Sequence, residues 1–233
     1  MTKSSPRRAK HAFTLMELLT VITILTILFA IAVPTLNSAR ERAKITKDMS
    51  NLRQIGTATQ MYMNDNNGVF PGSATATWMS QLELNGKYLS VWRILESPFD
   101  ARGTSETGDG TTAISYGINA NVYVANVPIS ADKITKPTAF ILFSPAQAAG
   151  GTVAFAGLGN SAFPGVTVLG TGSNAATSAP GGSATGGTQN NRARINALFA
   201  DLHSENMLWA TFTNNAATGN DPDGAYRWAC CAP

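Results

Sequence analysis

Four places in the chain hold side chains whose type and spacing suggest chemistry. Asp201, His203 and Ser204 lie close enough in sequence to invite a hydrolytic triad. No Gly-x-Ser-x-Gly elbow surrounds a serine, adjacent strand positions point to opposite faces, and a chain with two histidines cannot build a His-rich metal site. A buried or turn-stabilising Asp-x-His is expected there, and the chain is not read as an enzyme. Asn220-Asp221-Pro222-Asp223-Gly224 is rich in oxygen, with the composition of an Asp-Pro/Asp-Gly turn. Cys230 and Cys231 are adjacent, so they cannot staple distant loops. They form a strained eight-membered ring, bond between chains, or remain as two thiols. The fourth place is Glu17.

Glu17 is the only charged side chain between residues 13 and 36, FTLMELLTVITILTILFAIAVPTL. As a helix this stretch rises roughly 36 Å, enough to cross a hydrocarbon core of about 30 Å. Lys3, Arg7, Arg8 and Lys10 precede it without a balancing acid. Three readings fit such a segment: a secretory signal peptide cut after Ala30-Ile31-Ala32, a plain anchor, or a membrane helix with a working carboxylate. A carboxylate at a membrane-helix centre costs about 2.5 to 3.5 kcal/mol and less near an interface, so Glu17 calls for a partner.

Ala12-Phe13-Thr14-Leu15-Met16-Glu17, followed by an apolar helix with Pro34, resembles the class III signal of type IV pilins and type II secretion pseudopilins. The resemblance implies a membrane-embedded prepilin peptidase that cuts between Ala12 and Phe13 and methylates the new Phe13 amine. Glu17 becomes the fifth mature residue and Pro34 the twenty-second. The family usually has Gly where this chain has Ala12. Glu17 of one subunit would neutralise the amine of a neighbour and set the axial register, since two unlike charges are tolerable together in an apolar core and expensive apart. The implied product is a structural subunit of a type IV pilus or type II secretion pseudopilus. Its partners are the peptidase, other subunits and the inner-membrane assembly platform. It sits in the cytoplasmic membrane as a single-pass protein, N-terminus inside and head outside. The alternative is an exported soluble envelope or binding protein released after Ala32.

The elements that would carry these residues follow in order: a leader at 1–12, a membrane helix at 13–36, its amphipathic continuation at 37–65, and a head at 66–233. Pro34 removes one helical hydrogen bond and bends or loosens a turn. Beyond it Ile45, Met49, Leu52, Ile55, Thr59 and Met63 fall on one helical stripe, with Arg40, Arg42, Lys44, Lys47 and Arg53 mostly off it. The helix should stop at Asn64-Asp65-Asn66-Asn67-Gly68. The head reads as short strands at 78–84, 88–94, 114–125, 139–143, 152–156 and 195–209, the first two being equally compatible with helix and turn. Antiparallel strands packed on the helix give an α+β, pilin-like fold. Residues 146–190, with 11 Gly and no charged residue, read as a surface insertion.

The resemblance continues in pieces of the head. Asn51-Leu52-Arg53-Gln54-Ile55-Gly56, Met61 to Gly68 with Phe70-Pro71, and Ser115-Tyr116-Gly117-Ile118-Asn119 are similar to segments of a large bacterial group of pilin-like proteins. That group's late motif, His, nine residues, then Asp-Gly-His, stands here as Asn191, Asp201, Leu202 and His203. In major type II pseudopilins the C-terminal region binds calcium, which makes Asp221 and Asp223 the candidate ligands; no other cofactor is expected. The charge balance also changes meaning. Its 17 Lys+Arg and 14 Asp+Glu give +3, but residues 1–12 hold four of the positives and no acid. Without the leader the balance is 13 against 14, and no nucleic-acid partner is expected.

Overall fold

A computed structural model describes residues 14–72, 78–83, 87–99, 115–124, 127–145, 188–190, 193–214 and 217–228. Two compact units divide the chain, Met1–Arg42 and Ala43–Pro233. The first is helical throughout its described part. Helix α1, Leu15–Asp65, begins here, and apart from Glu41 every described residue of this unit is exposed, the large apolar ones from 83% at Leu15 down to 44% at Leu25. Its apolar stretch is long enough to span a membrane. The helix runs uninterrupted through Pro34. Pro34 has no N–H for the Ala30 carbonyl, and just beyond it the Thr35 hydroxyl donates back to Ala32 O at 2.8 Å.

In the second unit the stripe works as expected. Leu52, Ile55, Thr59 and Met63 are buried, Ile45 and Met49 are half-buried, and Lys44, Lys47 and Arg53 stay exposed. The helix ends at Asp65, where Asn67 (φ 56°) and Gly68 (φ 74°) turn left-handed and Gly68 N–H donates to Met63 O at 2.8 Å. Asp65 then accepts from Lys87 Nζ at 2.7 Å and from the Tyr88 hydroxyl at 2.9 Å, which fastens the following loop to the helix end.

A four-stranded antiparallel sheet runs in the order β1 (Tyr116–Ile118), β4 (Ile141–Pro145), β5 (Arg194–Phe199), β6 (Ser204–Leu208). A small hairpin pairs β2 (Tyr123–Val124) with β3 (Val127–Pro128). The sheet separates two cores. Leu52, Ile55, Ala58 and Met63 of α1 share one with Phe70, Trp78, Ile118, Phe140 and Leu198. Ile195, Ala197, Phe199 and Met207 share the other with Phe212, Trp209 and Trp228, the first two of these tryptophan and phenylalanine positions lying on the short helix α3 (Trp209–Thr213). Gly56 lets helix and sheet come close: a Cβ there would lie 2.8 Å from Leu198 Cδ2. The result is the α+β architecture, a long N-terminal helix with a small antiparallel sheet.

Several strand expectations need correction. Of the stretch 78–84, Trp78–Glu83 form helix α2, the alternative the sequence left open, because burying Trp78, Met79 and Leu82 on one side needs a helical turn. The stretch 88–94 runs instead into a 3-10 turn, Trp92–Leu95. The span 114–125 breaks at a 3-10 turn, Ala120–Val122, between β1 and β2. The span 195–209 is two strands, β5 and β6, joined through Leu202 (φ 71°), with Trp209 already opening α3. The predicted strand at 152–156 and nearly all of 146–190 lie outside the described residues.

Candidate functional site

Glu17 is the third residue of α1 and closes a reciprocal cap with Thr14. The Thr14 backbone N–H and hydroxyl both donate to Glu17 Oε2 at 2.9 Å, while Glu17 N–H donates to Thr14 Oγ1 at 3.2 Å. This is a capping box, Thr-x-x-Glu, and it satisfies donors that a helix start otherwise leaves open. The geometry has a consequence for a membrane setting. The carboxylate is met by local donors, and Glu17 stays exposed as the one charged side chain on a surface of large apolar residues and threonines that bond back to their own helix. Sequence reasoning assigned Glu17 a partner in another subunit and missed Thr14, although the Thr-x-x-Glu spacing was legible. Ala12 and Phe13, the expected cleavage and methylation positions, lie outside the described residues.

A second acid on the same helix has the opposite surroundings. Asp48 is fully buried. Its Oδ1 accepts from the Ser97 hydroxyl and the Tyr116 hydroxyl, each at 2.6 Å, and its Oδ2 accepts from Asn196 Nδ2 at 2.8 Å. Asn51 Nδ2 extends the network to Glu96 O at 2.9 Å, and Asn206 Nδ2 reaches Asn196 Oδ1 at 2.7 Å. Burial pushes the Asp48 carboxyl above its ordinary range, against three hydrogen bonds that lower it. The network ties α1 to three separate segments of the head, and it was not anticipated from sequence.

The remaining candidates are placed as follows. Asp201 and His203 are hydrogen-bonded in the β5–β6 turn, Oδ1 to Nδ1 2.5 Å, with His203 stacked on Phe199 at 4.2 Å between ring centroids. Ser204 points elsewhere: its hydroxyl accepts from Arg53 Nε at 2.8 Å. The three residues therefore do not converge on a reacting atom. Asp221 is held by Arg227, Nη1 to Oδ2 at 2.8 Å and Nη2 to Oδ1 at 2.9 Å, with Asn214 Nδ2 adding a bond at 2.7 Å. The guanidinium keeps the Asp221 carboxyl below the usual range. Asp223 pairs with Lys136. Both candidate calcium ligands are thus already neutralised by a cation of the chain, and among the described residues no three His, Cys, Asp or Glu side chains converge to hold a metal. Cys230 and Cys231 lie outside the described residues.

Comparison with known proteins bears on the first of these sites. No solved structure matches the chain. Type II secretion system core protein G of Pseudomonas aeruginosa is 40% identical over 60 residues, which cover 26% of this chain and 42% of that protein. The chain therefore spans less than half the length of that relative. Residues 7–33, which include the Ala12-Phe13 bond, the capping box and the apolar helix start, match the family described as the prokaryotic N-terminal methylation motif.

Proposed function

We propose that the chain is a prepilin-like structural subunit. A prepilin peptidase cuts it between Ala12 and Phe13 and methylates the Phe13 amine. The apolar half of α1 holds it in the cytoplasmic membrane, N-terminus inside and head outside, with residues 1–12 and their four cations fixing that topology. Subunits then polymerise through the helix into a type IV pilus or a type II secretion pseudopilus, in contact with the assembly platform of the inner membrane. The role is structural and not catalytic.

One observation carries this reading: the stretch matching the methylation motif, residues 7–33, runs directly into a single 51-residue helix whose exposed, apolar first half holds Glu17 as its one acid. A cleaved signal peptide has no need to continue as the core helix of the mature head, whereas α1 does, through Leu52, Ile55 and Met63. Glu17, capped by Thr14 in the lone chain, is the group positioned to meet the amine of a neighbour. Mass spectrometry of the N-terminal peptide tests the proposal. N-methylated Phe13 is the expected start; a chain starting at Met1 or Val33 overturns it.

A further inference from the structure

Arg227 is buried, at 5% exposure, although Asn220, Pro222 and Tyr226 just before it are exposed. The backbone holds it there. Its carbonyl accepts from Ile141 N–H of β4 at 2.9 Å, and the next residue, Trp228, donates its indole N–H to Phe212 O of α3 at 2.9 Å. The chain therefore leaves α3 beside Phe212 and returns to the same place at Trp228, the two rings meeting edge to face at 4.9 Å.

Inside that closure the guanidinium meets oxygens. Nη1 donates to Asp221 Oδ2 at 2.8 Å and to Asn214 O at 3.0 Å, and Nη2 donates to Asp221 Oδ1 at 2.9 Å. A two-pronged contact of this kind fixes orientation as well as charge. The backbone bends around it: Thr218 and Asp221 exchange N–H to carbonyl bonds at 3.0 and 3.1 Å, and Gly224 N–H donates to Asp221 O at 3.3 Å. Residues 217–223 are all exposed or half-buried, so apolar burial contributes little to holding them. Their order falls to the ion pair at Asp221, helped by Lys136, which pairs with Asp223 from outside the loop.

A divalent metal does not fit on these oxygens. Calcium takes about six to eight oxygens at roughly 2.3–2.6 Å. Both Asp221 oxygens and the Asn214 carbonyl already face the guanidinium, so a calcium ion on them would lie within about 5 Å of a fixed positive charge.

We propose that Asp221 and the Asn214 carbonyl form a guanidinium-binding site filled by Arg227 of the same chain, and that this internal cation fixes the loop in place of the calcium the resemblance implies. The loop is then indifferent to chelation, and the site emptied of Arg227 takes free guanidinium. Hydrogen exchange of the full chain in detergent, read by mass spectrometry on the peptide from Thr218 to Tyr226, tests both statements. In the native chain that peptide should exchange at one rate in EDTA and in calcium at about 10 mM, above the range of the weakest calcium modules. Arg227→Ala should speed its exchange at least about 30-fold, and more than it speeds exchange in β5. Guanidinium at about 20 mM, far below denaturing strength, should slow that exchange about fivefold for a dissociation constant of about 5 mM, and sodium at equal ionic strength should not. Arg227→Lys, which keeps the charge and loses the fork, serves if the alanine variant fails to fold; its loop should exchange faster than the native one. Calcium that protects the native loop, or EDTA that exposes it, overturns the internal cation. An alanine variant protected no better by guanidinium than by sodium overturns the site, as does an alanine or lysine variant that exchanges at the native rate.

Discussion

Removing the Asp48 carboxylate should unfold more of the head than removing any other polar group on α1. Three donors point at it: the Ser97 and Tyr116 hydroxyls at 2.6 Å and Asn196 Nδ2 at 2.8 Å. Asn196 has a second acceptor in Ile45 O at 3.2 Å, so Asp48→Ala leaves two hydroxyl donors without a partner in a fully buried site. Each orphan costs about 1–3 kcal/mol, and the small cavity adds to that, giving a loss of about 3–6 kcal/mol. For a unit of this size the midpoint should fall by roughly 10 °C or more. Asp48→Asn is the informative companion. Its remaining oxygen can serve both hydroxyls, but its amide then faces the Asn196 amide donor, so two bonds are kept, a clash replaces the third, and the loss should be about 1–3 kcal/mol. The native chain and Asp48→Asn also separate in pH. Burial raises the Asp48 pKa in the folded state, so this group favours folding most at low pH and loses that contribution as pH rises through its folded value. The native chain should therefore gain on Asp48→Asn as pH is lowered from neutral toward about 4. Urea unfolding of the full chain in detergent measures both effects. A loss below about 1 kcal/mol for Asp48→Ala, or a gap between native and Asp48→Asn that does not change with pH, would refute the network as described.

Three further outcomes are expected. Glu17→Ala should leave carbonate-stable insertion intact and impair multimer formation, as read by crosslinking; unaltered assembly would remove the register role. Gly72→Ala should destabilise the head more than Gly56→Ala: Gly72 has φ +121° and its Cβ would lie 2.3 Å from the Tyr123 hydroxyl, whereas at Gly56 the nearest atom is the end of a leucine side chain. The first should cost on the order of 2–4 kcal/mol and the second about 1 kcal/mol, compared by thermal midpoint. Arg227→Met should cost about 3 kcal/mol by stranding the Asp221 carboxylate, and the native pair should weaken as pH falls through the lowered Asp221 value, below the ordinary carboxylate range. With Arg227 in place, calcium should leave the thermal midpoint where it is.

How much of this was legible follows from the range of the interactions. Helix α1 was readable because Leu52, Ile55, Thr59 and Met63 repeat at helical spacing and all become buried. Its end was readable because Asn67 and Gly68 tolerate a left-handed backbone. Helix α2 was ambiguous, since three apolar residues within Trp78–Glu83 fit either period and only the buried set decides. Ser115 to Asn119 was legible as part of the strand expected at 114–125, and all five residues are buried because the sheet has a core on each side. The Asp48 network was invisible: its donors come from 49, 68 and 148 residues away, and a sequence shows an acid without showing what surrounds it. The Thr14 cap was in plain view at a separation of three. It went unread because a membrane acid directs attention to a partner in another chain.

Glu17 and Asp48 stand on one helix and are satisfied in opposite ways, and the difference says which of them belongs to the fold. Asp48 draws its donors from Ser97, Tyr116 and Asn196, all within the unit Ala43–Pro233, and every one is lost if that unit unfolds. Glu17 takes its donors from Thr14, within one turn, and keeps them whatever the head does. A capping carboxylate is a modest gain for a helix start that Ser or Asp at the N-cap would serve as well. Against that gain stands the cost of the one charged side chain on an exposed surface of large apolar residues and threonines from Leu15 to Leu36. Under the assembly proposed above, the carboxylate gains more in a state the isolated chain does not contain. A cationic amine at the start of a neighbouring helix, formed when residues 7–33 are processed as their motif implies, is the group whose charge and depth would supply the difference.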